Sequence, residues 1–200
     1  VYKMGGAQAI AALAYGTQSV KKVDVIAGPG NIYVTLAKKE VYGEVGIDML
    51  AGPSEIMIVA DGNANPAYVA ADMLSQAEHD VLARAIVVTT DRALAQAIAA
   101  EAEAQLARLP RREVAGKSLA ASGGIIVVDT LDEAIALVNE VSPEHLELYT
   151  AHPEELLPKV ESAGAVFLGG YTPEPVGDYF AGPDHILPTS GSAKFFQVLN

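Results

Sequence analysis

Gln76 and His79 carry the first chemical signal in this chain, because they lie where a predicted helix ends. Residues three positions apart share a helix face, and Asp72 lies one turn earlier on the same side. An imidazole nitrogen is a good zinc ligand and an amide oxygen a weak one, so a mixed nitrogen and oxygen metal site is possible. On spacing alone, a plain polar helix end, with His79 near the negative end of the helix dipole, is the commoner outcome.

Glu144 and His145 place a carboxylate beside an imidazole at a predicted helix-to-strand junction. Side chains of adjacent strand residues point to opposite faces, but near a strand end both could serve proton transfers at one site. Pro143 disfavours helix at Ser142, which predicts an extended backbone leading into the pair. The alternative, supported by Glu147 nearby, is a solvated sheet edge.

Two further segments are ambiguous on residue types alone. Segment 176–185, rich in glycine and proline, contains Asp178 and His185. Asp178 could be a carboxylate held against an apolar wall or an ordinary turn residue. Segment 28–31 joins a predicted strand to a predicted helix, a geometry that can present backbone N–H groups to a phosphate. It lacks the glycine spacing of a dinucleotide-binding fingerprint, so it is weak evidence.

Composition narrows the class of protein. Half of the 200 residues are apolar, enough for a sizeable core. A net charge of −12 makes nucleic acid and anionic lipid unfavourable partners. The absence of cysteine excludes disulfides and thiolate chemistry and agrees with a reducing cytoplasmic setting. No apolar run approaches the length of about 18 residues that a membrane span needs, and the N-terminus lacks a signal-peptide pattern.

The predicted elements alternate between strand and helix. Strands are predicted at 23–27, 47–50, 55–60, 84–89, 125–128, 146–150 and 165–168, and helices at 5–15, 31–41, 66–79, 91–109, 130–139 and 153–160. This alternation predicts an α/β fold with mostly parallel sheets and helices on both faces. A change in composition near residue 54 predicts two units, residues 1–54 and 55–200.

Taken together, these segments resemble the histidinol dehydrogenase family. The resemblance rests on ordered stretches at 5–14, 28–31, 51–55, 75–79, 142–147, 177–179 and 185–189, and it covers essentially the whole chain. It implies parts of two Rossmann-like domains, an NAD-contacting one over 1–54 and a zinc- and substrate-binding one over 55–200. It also implies oxidation of L-histidinol through L-histidinal to L-histidine, the last step of histidine biosynthesis, by two NAD+ at a zinc site.

The resemblance implies a role for each matching residue. It makes Glu144 and His145 the acid/base pair: His145 would remove the alcohol proton, and Glu144 would activate the water that hydrates the aldehyde. The other implied roles are zinc binding by Gln76, His79 and Asp178, substrate binding by Ser54, Gln76, His79, His145 and Asp178, and NAD+ binding by Gln8 and Asn31. Zinc would hold the substrate and take no part in electron transfer.

Family members are about twice as long as this chain, and they form homodimers. The chain lacks their N-terminal region and their C-terminal tail, which carries a fourth zinc ligand and a substrate-binding glutamate. We therefore expect an internal portion of such an enzyme, which alone binds zinc and NAD+ weakly and turns over little histidinol. Two other functions fit the same residues: a zinc-dependent hydrolase with Glu144 as base, and a non-catalytic α/β module with its polar clusters on the surface.

Overall fold

The computed structural model describes residues 1–183 and 186–196, so the predicted His185 lies outside the described residues. The helices are α1 (Gly6–Tyr15), α2 (Ile32–Val41), α3 (Pro66–Ala77), α4 (Arg92–Leu106), α5 (Arg112–Ser122), α6 (Leu131–Val141), α7 (Pro153–Leu156) and α8 (Glu174–Val176). The strands are β1 (Val25–Ile26), β2 (Gly46–Ile47), β3 (Glu55–Ala60), β4 (Arg84–Thr89), β5 (Gly123–Val127), β6 (His145–Tyr149) and β7 (Ala165–Leu168). A π-helix (Gly177–Ala181) and 3₁₀ turns at Leu157–Lys159 and Ser192–Lys194 complete the described elements.

Two parallel sheets organise the chain. The larger has the order β5-β4-β3-β6-β7, and the smaller pairs β1 with β2. The predicted α/β fold with parallel sheets is therefore confirmed. The small sheet lies wholly before residue 54 and the large sheet wholly after it, but the division into two domains there stays a prediction.

Helices cover both faces of the large sheet. On one face, Ile56 and Ile58 of β3 pack in a cluster with residues of α3 and α4. On the other, Met57 and Val59 pack with residues of α6 and α7. Burial on both faces explains why β3 is apolar after its first residue instead of alternating with polar residues.

Side-chain caps fix several helix starts where the sequence predicts them. Asn65 accepts a hydrogen bond from the Ala67 N–H, with Pro66 at the first helical position of α3. Asp91 caps α4 in the same manner. Thr130 accepts from the Glu133 N–H at α6, as its capping-box pattern predicts.

Some predicted elements differ from the structure. Strand β2 ends at Ile47, because Asp48 turns its carboxylate to the Gly28 N–H and the Lys38 ammonium. The helix predicted from Pro153 ends after one turn and continues as a 3₁₀ turn. Ser142 is left-handed, with φ 50°, rather than extended, because it closes α6 by donating its N–H to the Val138 carbonyl. In the described parts of the chain, no helix has the length and apolarity needed to cross a lipid bilayer.

Candidate active site

The amino-terminal edge of the large sheet carries the predicted acid/base pair. Strands β3 and β6 are neighbours in register Ile56 to His145, so Glu144 lies beside the start of β3. The Glu55 N–H donates to Glu144 Oε2 at 2.9 Å, which fixes this carboxyl at the sheet edge. Ligands of open α/β sheets usually bind at the carboxyl ends of strands, so this location is unusual for the fold.

Helix α3 ends at the same edge and brings Gln76 against His145. Gln76 Oε1 lies 2.9 Å from His145 Nδ1, and both side chains are almost completely buried. Because Gln76 belongs to α3 and His145 begins β6, the bond joins two elements that are far apart in sequence. It holds the imidazole plane, and the Phe167 ring, with its centroid 6.0 Å away, packs beside it.

A π-helix brings Asp178 to this site. Gly177 packs so closely on Phe167 that a Cβ atom there would lie 2.7 Å from the ring, so only glycine fits without movement. Just before it, Glu174 is buried with Oε1 at 3.8 Å from His145 Nε2. Ligand-type atoms of His145, Glu174 and Asp178 all lie within 4.8 Å of one another. Single π-helical turns often occur at functional sites.

One cavity of about 180 Å³ gathers most of the predicted site. Its lining includes Ser54, Gln76, His79, Glu144, His145 and Asp178. These side chains come from the loop before β3, the end of α3, the start of β6 and the π-helix. His79 is exposed just beyond α3, whereas Gln76, Glu144 and His145 are buried. The arrangement puts two imidazoles, two carboxyl groups and an amide around one small space.

A second cavity, of about 270 Å³, adjoins the first and contains Asn31. The two share Ser54 and His79 among their lining residues. Asn31 caps α2, with Oδ1 accepting from the Tyr33 and Val34 N–H groups, so its amide nitrogen takes no part in this cap. Gln8 is exposed on α1 and lines neither cavity.

A largely buried ion pair holds the loop that leads to Gly30, a residue lining both cavities. The Lys38 ammonium binds the Asp48 carboxylate and donates to the Gly28 carbonyl at 3.0 Å. Asp48 Oδ2 in turn accepts from the Gly28 N–H at 2.7 Å. Burial alone would raise the pKa of Asp48, but the Gly28 N–H and Lys38 outweigh it and hold this pKa low. Gly30, which lines both cavities, packs against Val34, where a Cβ atom would lie 2.5 Å away.

The site holds more carboxyl groups than cationic groups. Burial raises the pKa of Glu144 to about 8, and the charges of Glu55, Asp178 and Glu174 add to the rise. Burial also raises the pKa of Glu174 to about 8, with Asp178 contributing. Within the described chain, Arg84 is the lysine or arginine that pairs with these carboxyls, at 3.7 Å from Glu55. A bound cation would stabilise the ionised carboxylates, and nitrogen and oxygen donors suit zinc.

Several buried carboxyls at this site are absent from the predicted set. They are Glu55, Glu147 and Glu174, and Asp72, predicted only to share a helix face with Gln76, is buried as well. The interpretation of Glu147 as part of a solvated edge is wrong, because its side chain is 1% exposed. The available signal was position: Glu147 lies between apolar residues of a predicted strand, and Glu55 begins another. An acidic residue there is either exposed or paired, and only the fold decides which.

Comparison with known proteins identifies the family. The family model described as histidinol dehydrogenase matches residues 1–200, the whole chain. The chain belongs to the histidinol dehydrogenase family. A histidinol dehydrogenase from Moorella thermoacetica is 62% identical over 100% of this chain and 47% of that protein. One from Halalkalibacterium halodurans is 60% identical over the same shares.

A solved structure supports the same relationship. The crystal structure of histidinol dehydrogenase from Elizabethkingia anophelis has a TM-score of 0.92 and 47% sequence identity to this chain. The match covers 98% of this chain and 45% of that one. The chain thus spans about half the length of the histidinol dehydrogenases it matches.

Proposed function

We propose that the protein containing this chain oxidises L-histidinol to L-histidine, in two steps through L-histidinal, with NAD+ and a bound zinc ion. The observation that carries this proposal is the 180 Å³ cavity, since Ser54, Gln76, His79, Glu144, His145 and Asp178 all line it. These are the residues to which the family resemblance gives zinc, substrate and proton-transfer roles. They come from distant parts of the chain and meet at one place.

Gln76, His79 and Asp178 would hold the zinc ion. They supply an amide oxygen, an imidazole nitrogen and a carboxylate, which is a donor set that zinc accepts. A carbonyl oxygen has two lone pairs, so Gln76 Oε1 can serve a metal and His145 Nδ1 together. Bound zinc would supply a Lewis acid that holds the substrate's amine and imidazole and so fixes its carbinol carbon.

His145 is the proposed base for the alcohol. With Gln76 Oε1 as the acceptor, Nδ1 carries the proton and Nε2 keeps its lone pair, a tautomer assigned from the hydrogen bond. Nε2 then takes the hydroxyl proton of histidinol as the C–H bond gives up a hydride. Near neutral pH, imidazole can accept this proton and release it again.

Glu144 is the proposed base for water. Its Oε2 is anchored by the Glu55 N–H, and Glu144 is one of the residues that line the cavity. In the second step, the ionised carboxyl accepts a proton from the water that adds to the aldehyde carbon. The resulting diol loses a second hydride from its carbon and a proton from one hydroxyl group, and so becomes the carboxylic acid. Bound NAD+ would accept one hydride in each oxidation.

The adjoining 270 Å³ cavity is the proposed position of the nicotinamide end of NAD+. Asn31 lines it and has an amide nitrogen to offer, and Ser54 and His79 connect it to the substrate cavity. The proposed role of Gln8 in NAD+ binding rests on the family resemblance. The same resemblance supports a homodimer of the full-length protein, and the absence of cysteine agrees with a cytoplasmic location.

Binding measurements test the proposal and separate its alternatives. Because the chain spans about half of its relatives, we would place it in a hybrid that replaces the matching segment of the Moorella relative. Isothermal titration of the hybrid should then show binding of zinc and of NAD+. His79→Asn should weaken zinc binding, and Asn31→Ala should weaken NAD+ binding. Zinc binding without NAD+ binding would support a hydrolase. Neither ligand binding would support a non-catalytic module.

A further inference from the structure

A second pair of side chains lies directly beside Gln76 and His145. Asp72 is one helical turn before Gln76 in α3, and Glu147 is two residues after His145 in β6. Both pairs therefore lie on the facing surfaces of the helix and the strand. The Asp72 and Glu147 carboxyl groups lie close enough to hydrogen-bond when one of them is protonated. Two polar contacts thus connect α3 with β6. We call Gln76 with His145 the upper rung and Asp72 with Glu147 the lower rung.

The lower rung is buried and uncompensated by cations. The Asp72 side chain is 6% exposed and that of Glu147 is 1% exposed. No lysine or arginine of the described chain pairs with either carboxyl, and Glu147 Oε2 has no donor there. The group that faces this rung from another element is Glu174, whose charge interacts with that of Asp72. Two carboxylates in contact cannot both stay ionised at low cost, so a proton shared between them completes the bond.

The spacing between the two contacts means that the Asp72–Glu147 contact constrains the position of Gln76 relative to His145. Four helical residues rise about 6 Å, and two strand residues rise about 6.7 Å. The spacing along the helix nearly equals the spacing along the strand. Contact between Asp72 and Glu147 therefore leaves Gln76 little freedom to shift along β6. A hydrogen bond of 2.9 Å between Gln76 and His145 would weaken with a shift of a few tenths of an ångström.

We infer that Asp72 and Glu147 are positioning residues of the site: a proton-sharing carboxyl pair that holds α3 in register with β6 and thereby holds Gln76 against His145. This inference rests on the proposed function for its effect on turnover. The pairing itself and the orientation of His145 do not depend on that function. An apolar pair of the same shape would pack at least as well, so the polar pair is explained by geometry rather than by stability.

Two substitutions of Glu147 separate positioning from packing. Glu147→Gln keeps the shape and lets an amide N–H donate to the Asp72 carboxylate. Glu147→Met keeps the length but removes the hydrogen bond. In the hybrid with the Moorella relative, Glu147→Met should lower kcat for histidinol by roughly 10- to 100-fold, with a smaller change in KM. Glu147→Gln should restore kcat to within about threefold of the parent. Equal kcat in the two variants would overturn the inference.

Two spectroscopic measurements test the inference without depending on enzymatic activity. The infrared difference between the parent and Glu147→Gln at neutral pH should show the loss of one protonated carboxyl band. Glu154→Gln, which changes an exposed carboxyl, should show none. The side-chain nitrogen signals of His145 should shift in Glu147→Met and stay in Glu147→Gln. An unchanged infrared spectrum, or His145 signals unmoved by Glu147→Met, would contradict the inference even where the hybrid oxidises no histidinol.

If Glu147→Met does not fold, a different variant tests the same contact. Asp72→Ser shortens the side chain so that it no longer reaches Glu147, and it should shift the same His145 signals. The double variant Asp72→Asn with Glu147→Gln restores a hydrogen bond without a shared proton, and it should return those signals to the parent positions. Failure of this rescue would show that the pair does not position His145 through its hydrogen bond.

Discussion

Gln76 Oε1 and His145 Nδ1 lie 2.9 Å apart, and this bond ties the end of α3 to the start of β6. It has a chemical consequence, because a proton on Nδ1 leaves Nε2 as the basic nitrogen of the ring. It also has a structural one. A residue expected to bind metal also orients the residue expected to move the proton, so loss of Gln76 would affect both functions.

His145→Asn should lower kcat for histidinol by about 10² to 10⁴, since it removes the proton acceptor. Zinc affinity should change little, because the proposed ligands remain. His152→Asn is a matched control, since His152 is exposed at the start of α7 and its side chain makes no capping bond there. We would measure NADH formation in the hybrid under saturating zinc. Equal loss in both variants would contradict the assignment of His145.

Glu144→Gln should impair oxidation of histidinal more than oxidation of histidinol. The pKa of Glu144 is about 8, so its ionised, basic form increases as the pH rises toward that value. Bound zinc would lower this pKa, so the rate of histidinal oxidation should rise with pH at or below about pH 8. The variant should lose that rise, whereas Glu140→Gln, an exposed carboxyl, should keep it. Stopped-flow rates at several pH values with each substrate decide between these outcomes.

Substitution of a proposed zinc ligand should weaken zinc binding, whereas substitution of a surface carboxyl should not. Asp178→Asn should weaken zinc binding by at least about tenfold, because a neutral amide replaces a carboxylate ligand. Asp129→Asn changes an exposed residue and should leave zinc affinity unaltered. Zinc content after dialysis, measured by elemental analysis, gives the result. Full retention of zinc in Asp178→Asn would exclude Asp178 as a ligand.

Metal-free protein should lose stability as the pH rises from about 6 to 9. Burial raises the pKa of Glu144 and Glu174 to about 8 and that of Glu147 to about 9, so the folded state holds protons that the unfolded chain releases near pH 4.5. The stabilisation is complete below the unfolded pKa and disappears as the pH rises through the folded pKa. Each group that titrates contributes up to about 1.4 kcal/mol per pH unit to the free energy of unfolding.

Urea unfolding at pH 6, 7.5 and 9 measures this slope, with and without zinc. Zinc should reduce the slope, because a cation favours the ionised forms of nearby Glu144 and Glu174. Glu147→Gln should reduce it in the metal-free protein by about the share of one group. A free energy of unfolding that stays constant or increases between pH 6 and 9 would be inconsistent with protonated buried carboxyls.

Lys38→Met should raise KM for NAD+ several-fold, because Lys38 and Asp48 together hold the Gly28 backbone, two residues before Gly30 of the second cavity. Breaking a buried ion pair by removing one partner also destabilises a protein by about 3–5 kcal/mol, and the lower end applies here because Asp48 is partly exposed. Lys39→Met, at an exposed neighbouring position, is the control. An unchanged KM for NAD+ in a folded Lys38→Met variant would separate this loop from cofactor binding.

Local sequence signals predicted much of the fold because their causes are local. Strand β4 has the predicted bounds, and Asn65 and Asp91 begin helices through their own side chains. Helix α5 was not predicted, since Arg112–Ser122 contains an interior glycine and only a weak apolar stripe, and tertiary packing stabilises it. Strand β2 is shorter than predicted, because the Asp48 carboxylate binds partners on other segments.

The candidate site was predictable only where residue type was unusual. A histidine next to a carboxylate is a candidate for proton transfer in any sequence. The order of the motifs that resemble the family assigned Glu144 and Asp178 to the same site. Glu174 and Glu147 were not predicted, because a glutamate is ordinarily a solvated residue, and the apolar neighbours of Glu147 do not by themselves show that it is buried. Their burial results from packing of α3, α8 and β6 around the site, which single-residue patterns do not encode.

The stoichiometry of NADH formation tests the central claim most directly. The hybrid that carries this chain, given limiting L-histidinol with excess NAD+ and zinc, should form two NADH for each L-histidine produced. His145→Asn should abolish most of that formation, and His152→Asn should not. No NADH from L-histidinol in a folded, zinc-loaded hybrid, or one NADH with histidinal as the end product, would contradict the proposed four-electron oxidation.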